Sequence, residues 1–237
     1  MNEELNLNDI VSENTLKKPM PKWKKNLLIG ISISLLLIVL IIIIIIISSS
    51  NSKKEKEVQR PIIGEVNCDY DIPKENIKIK ILGDNFNYEV NFDIMIDSQK
   101  ISYTKEYQFS KSGIHKIYFL IYDSINMDYM FKDIYSLASV IMTSSNGTKI
   151  KSMKSTFENC INLNDFTLTG FDTSEVKSMS KLFYKTKIPI VTLVDLKTDN
   201  VEDFSYMFSS VKSRNLDVRK LNTSKAVNMS HMFEDCS

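Results

Sequence analysis

LNDFTLTGFDTSEVKSMSKLF, residues 163–183, is the stretch on which the fold turns. Its apolar residues fall two apart at Phe166 and Leu168, then three apart at Val176 and Met179, and close on Leu182 and Phe183. Period two is the signature of a strand and period three to four that of a helix, so the spacing predicts a short strand followed by a helical turn or two. Thr173 and Ser174 stand at the change of period, where a hydroxyl caps the first free amides of a helix.

The closing phrase recurs on both sides as Met127–Phe131, Met153–Phe157, Phe204–Phe208 and Met229–Phe233. Its last residue falls at Phe131, Phe157, Phe183, Phe208 and Phe233, at intervals of 26, 26, 25 and 25. The unit after Phe183 keeps register with Ile188, Val191, Leu193, Leu196, Val201 and Met207, with Asp199 at the cap. The next keeps it with Leu216, Val218, Leu221, Ala226 and Met232, capped by Thr223 and Ser224. A unit of this length buries too little apolar surface alone, so the units are expected to stack, with the five phenylalanines as the repeat core.

The pattern, with Phe-Asp-Thr-Ser at residues 171–174 and Met-Phe-x-x-Cys at residues 232–236, resembles the roughly 26-residue repeat of BspA-like surface proteins. The resemblance covers residues 126–237. It implies an α/β, leucine-rich-repeat-like solenoid of parallel strands and short helices, on a cell-surface or secreted protein that adheres to host or matrix without catalytic machinery. Departures are Ile134, Thr186 and Val211 at the cysteine position, and the missing Asp-Thr-Ser turn after Phe183.

Ahead of the repeats, residues 61–125 alternate with period two. Ile77, Ile79 and Ile81 alternate with Lys78 and Lys80, and Val90, Phe92, Ile94 and Ile96 share a face opposite Asn91, Asp93 and Asp97. Gly83-Asp84-Asn85 and Ser112-Gly113 supply turns, so four or more antiparallel strands are expected in a small β-rich module. It reads either as a spacer covering the end of the repeats or as a separate binding module.

Residues 27–47 are aliphatic except for Gly30, Ser32 and Ser34. Twenty-one helical residues span roughly 31 Å against a hydrocarbon core of about 30 Å, so a transmembrane helix is expected. The stretch exceeds the usual apolar region of a cleaved signal peptide, and no cysteine follows it closely enough for a lipoprotein. Lys17, Lys18, Lys22, Lys24 and Lys25 precede it, against Lys53, Lys54, Lys56 and Arg60 after it. That bias places residues 1–26 inside as a cytoplasmic tail, with residues 48–60 as a stalk and the C-terminal bulk outside.

Lys+Arg number 30 and Asp+Glu 29, which argues against a nucleic-acid partner. Three cysteines and two histidines leave little for a metal site or a disulfide framework. Cys160 and Cys236 share a register three rungs apart, about 15 Å at strand spacing, beyond disulfide reach. Asn146, Asn222 and Asn228 open N-glycosylation sequons, the first two in the turn register of Asp172. No nucleophile motif, phosphate loop or calcium loop appears, so no catalytic residue, cofactor or metal is expected. The expectation is a single-pass membrane protein, at the cell surface, presenting a repeat platform for adhesion to an extracellular protein or glycan. The alternative is a spacer array in a larger surface protein whose functional domain lies past residue 237.

Overall fold

Alternation of apolar and polar residues builds the first part of the chain into strands. The computed structural model describes residues 21, 41–43, 60–88, 91–188, 190–192, 195–213 and 215–237. Residues 60–237 form one compact unit. Its strands are β1 (Gly64–Ile72), β2 (Ile77–Lys80), β3 (Phe92–Ile96), β4 (Gln99–Ile101), β5 (Glu106–Phe109), β6 (Gly113–Ile121), β7 (Ile125–Asn126), β8 (Leu137–Ser144), β9 (Ile150–Ser152), β10 (Asp165–Thr169), β11 (Ile190–Thr192) and β12 (Asn215–Asp217).

The principal sheet has six strands in the order β10-β8-β1-β6-β3-β4. β1 lies antiparallel to both β6 and β8, whereas β8 and β10 run parallel, with Phe166 beside Val140. Val66, Cys68, Tyr70 and Ile72 on β1, Phe92, Ile94 and Ile96 on β3, and Ile117, Phe119 and Ile121 on β6 turn inward and are buried. Asp97 and Ser98 both hold positive φ between β3 and β4. Two consecutive left-handed residues match the right-handed twist of a two-residue hairpin. β2 and β5 form a separate two-stranded ribbon, as do β7 with β9 and β11 with β12.

After each of the marks at Met127, Met153, Met179, Phe204 and Met229 the chain runs through tight turns. Alternate amides serve different partners. Leu182, Tyr184 and Thr186 donate to the carbonyls of Met179, Lys181 and Phe183 within their own unit. Met179, Lys181, Phe183 and Lys185 donate to Asp203, Ser205, Met207 and Ser209 of the next. The same alternation runs through residues 127–134 and 204–211. Every second amide can face the neighbouring unit because two residues per unit are left-handed: Tyr129 and Asp133, Ser155 and Asn159, Lys181 and Lys185, Tyr206 and Ser210, His231 and Asp235. A left-handed non-glycine residue costs roughly 1–2 kcal/mol, which the hydrogen bonds between units offset.

Side chains reinforce the stack. The rings of Phe131, Phe157, Phe183, Phe208 and Phe233 lie nearly parallel, with centroids 5.6, 5.7, 5.9 and 5.8 Å apart in turn. The first four are buried, while Phe233 is 46 % exposed. Phe119 on β6 meets Phe131 edge-on at 5.5 Å, joining the sheet core to the first unit. At the same end, the Gly83 amide donates to the Met130 carbonyl at 2.8 Å. A β-carbon on Gly83 would lie 2.2 Å from the Tyr129 carbonyl oxygen, so only glycine permits this approach.

Several expectations are corrected by these observations. The described residues of 60–237 build β-sheets and tight turns, not an α/β leucine-rich-repeat-like solenoid. Apolar spacings of three and four arise here from consecutive i→i+3 turns, and among the described residues of 60–237 none is helical. The strands of the first part do not simply precede the repeats, because β8 and β10 extend their sheet on the far side of β1. Thr173 caps no helix: its hydroxyl donates to the Lys197 carbonyl and accepts from the Lys197 amide, clipping one unit to the next. Thr198 makes the same pair with Asn222, and Asp172, not Thr173, accepts from the Ser174 amide.

The single-pass anchor is corrected as well. Among the described residues, no helix is long and apolar enough to cross a membrane. Of residues 27–47 only the helical Ile41, Ile42 and Ile43 are described. The remainder of that stretch, the tail except Pro21 and the stalk except Arg60 lie outside the described residues, as do Val90 and Leu193. The membrane partner, the cell-surface placement and the outside orientation rested on that span and are not supported.

Candidate functional site

Where β2 comes beside the end of the first turn unit there is a cleft of about 670 Å³. The end of β1 contributes Asp71 and the bend after it Pro73. Ile79 and Lys80 come from β2, and residues 133–136 from the end of the first turn unit. Asn162, one unit later, completes the lining. The Asp71 amide donates to the Ser136 carbonyl at 2.7 Å, which fixes the strand end against the turn. The Asn162 side-chain amide donates to the Tyr135 carbonyl at 2.8 Å and holds the lip from the other side.

The cleft has an apolar wall and a charged rim. Ile134 is buried and Ile79 half-buried, while Tyr135 is 55 % exposed. Two carboxylates, Asp71 and Asp133, line the opening with one ammonium group, Lys80. The Lys80 ammonium is bound to Asp84 at 2.6 Å. Asp133 accepts from the Asn159 side-chain amide at 2.7 Å. Asp71 makes no side-chain hydrogen bond or ion pair among the described residues. A second cavity, of about 440 Å³, lies beside β3 and β4. Its charges already satisfy one another, with Asp93 2.8 Å from Lys100 and 2.7 Å from the Tyr122 hydroxyl.

The groups singled out in the sequence lie elsewhere. Asn146 is exposed in the bend after β8. Asn222 is exposed, but its side-chain nitrogen donates to Asp199 and its oxygen accepts from the Ser224 amide. The Asn228 side-chain oxygen accepts from both the amide and the hydroxyl of Ser230. His115 sits 2.5 Å from Asp97, and His231 stacks on Tyr206 at 4.5 Å. Met127, Met153 and Met179 are buried, and Met229 is 44 % exposed. Among the described residues no group of three or more His, Cys, Asp and Glu could hold a metal ion.

The cysteines carry structural contacts. The Cys160 thiol donates to the Phe131 carbonyl and the Cys236 thiol to the Phe208 carbonyl, each at 2.9 Å and each one unit back. Burial pushes the Cys68 and Cys160 thiols well above the ordinary thiol range, so neither offers a ready thiolate. Sequence reasoning set Asp71 aside for want of a calcium-loop pattern and passed over Asp133 and Tyr135, although one signal was present. Tyr135 follows Ile134, which stands at the cysteine position, and places a large ring on a register otherwise occupied by Ile161, Lys187, Lys212 and Ser237.

Comparison with known proteins reaches the turn units. Residues 125–237 are similar to one family. Its model is described as a Mycoplasma protein of unknown function, DUF285, and the matched residues make up just under half of the chain. No curated protein and no solved structure matches. The resemblance to BspA-like surface repeats is corrected accordingly. The match is partial and to a region of unknown function, and the units combine mixed sheets with tight turns where that resemblance implied strands and helices in a solenoid. The adhesion role and the extracellular protein or glycan partner drawn from it are withdrawn with it.

Proposed function

We propose that this chain is a non-enzymatic ligand-binding module whose site is the cleft between the β2–β5 ribbon and the first turn unit. The observation that carries the reading is the volume of about 670 Å³, bounded by an apolar wall and a few polar groups. Small-molecule sites typically run from about 300 to 1,000 Å³ with that mixture of surfaces. The cleft is also well braced. The Asp71–Ser136 and Asn162–Tyr135 hydrogen bonds fix two sides of it, so little ordering is needed on binding.

The non-enzymatic part rests on chemistry. The cleft lining holds no histidine, cysteine or threonine, and its one serine, Ser136, has no base hydrogen-bonded to it. A fragment screen on the full chain, read by amide chemical shifts, tests the proposal. Shifts should cluster at Ile79, Ile134, Tyr135 and Ser136, and Tyr135→Ala should weaken binding several-fold without loss of the folded spectrum. A screen whose hits perturb only other surfaces would overturn it.

A further inference from the structure

We infer that the ligand taken by this cleft is an organic cation with an apolar body, a guanidinium or ammonium group carried on a hydrocarbon or ring. This rests on the cleft being a binding site and adds the chemical class of what enters it. Charge decides the sign. Asp71 and Asp133 bring two carboxylates to the cleft; Asp133 acts on the Lys80 ammonium through its charge, whereas Asp71 has no cationic partner among the described residues. The one cation of the lining, Lys80, is already bound at 2.6 Å to Asp84. An anionic ligand would face both carboxylates with no free cation to offset them. A neutral one would gain nothing from the exposed Asp71 carboxylate.

The apolar wall gives the ligand its second requirement. Ile79, half-buried beside the buried Ile134, gives uncharged surface suited to a hydrocarbon stem, while the exposed Tyr135 offers a π-face. A cation over such a face within about 6 Å is attracted by the ring quadrupole. The chain makes this contact repeatedly on its own surface. Arg60 lies 4.5 Å above the Tyr122 ring, and Lys181 lies 5.8 Å from both Tyr184 and Tyr206. Carboxylate, ring and aliphatic wall together match a guanidinium or ammonium head on an apolar stem, with a charge-assisted hydrogen bond to Asp71 as the directional contact.

The test compares two probes of equal size, benzoyl-arginine amide and the uncharged benzoyl-citrulline amide, titrated into the full chain and followed by amide shifts. The arginine compound should bind about tenfold more tightly, and added salt should narrow the gap. Asp71→Asn should abolish most of the difference while leaving the spectrum of the free protein intact, because the Asp71 side chain holds nothing else in place. Equal binding of both probes in the cleft would overturn the cation assignment and leave the binding site standing. No shift at Ile79, Ile134 or Tyr135 with either probe would overturn both.

Discussion

β1 and the run of turns at residues 179–186 solve the same problem in opposite ways. Both must satisfy every buried backbone amide while presenting apolar side chains to one core. On β1, amides and carbonyls point sideways to β6 and β8, and successive side chains alternate between the two faces. In the turn run, half of the amides are satisfied inside the unit and half by the unit that follows. The sheet does this with ordinary backbone angles. The turns need two left-handed residues per unit, and Lys181 and Lys185 show that lysine serves where glycine would be expected. Local strain is therefore acceptable when each strained residue is held by a bond to its neighbour.

That contrast predicts where the molecule is most sensitive. Phe183 lies between Phe157 at 5.7 Å and Phe208 at 5.9 Å and meets Phe166 edge-on at 5.1 Å. Phe183→Ala should cost about 3–5 kcal/mol in denaturant unfolding. Phe233→Ala, at a half-exposed ring with one neighbour in the stack, should cost well under half of that. Equal losses would mean that stacking along the file contributes little.

The join between the two regions comes next in size. Gly83→Ala puts a β-carbon against the Tyr129 carbonyl and breaks the Gly83–Met130 hydrogen bond, so a loss of about 1–3 kcal/mol is expected. Amide exchange should quicken first at residues 127–134. If it quickened only in the β2–β5 ribbon, the loop would not be bracing the turns.

The smallest effect is electrostatic and lies between units. The Lys197 ammonium, 3.0 Å away, holds the Asp172 carboxyl below its ordinary value of 3.8. A depressed carboxylate contributes stability above that value and loses it as the pH falls through the folded one. Lys197→Ala should therefore cost at most about 1 kcal/mol at neutral pH, since the lysine is more than half exposed, and the gap to the parent should close in acid. A gap that widened below pH 3.8 would contradict the assignment.

Much of the sheet side is visible in the sequence. Ile77, Ile79 and Ile81 alternate with lysines, and Gly83-Asp84-Asn85 marks a turn, because strand periodicity and turn chemistry are both local. The 25–26-residue interval between phenylalanines is equally visible. The conformation between the marks is not. Apolar residues three and four apart fit a helix and a chain of i→i+3 turns alike, and no glycine flags the left-handed positions. Pairing of β1 with β8, some seventy residues away in sequence, leaves no local trace, and it is what merges the strands and the turns into one sheet. The cleft is hidden for the same reason. Asp71, Ile79, Tyr135 and Asn162 come from four segments that meet only in three dimensions.

The alternation of amides between units is the claim on which the structural account stands. Scalar couplings across hydrogen bonds, measured by NMR on the full chain, address it bond by bond. The Phe157, Phe183 and Phe208 amides should couple to the carbonyls of Leu182, Met207 and Met232. Couplings from the same amides to the carbonyls of Met153, Met179 and Phe204, four residues earlier, would make those runs helices and contradict it.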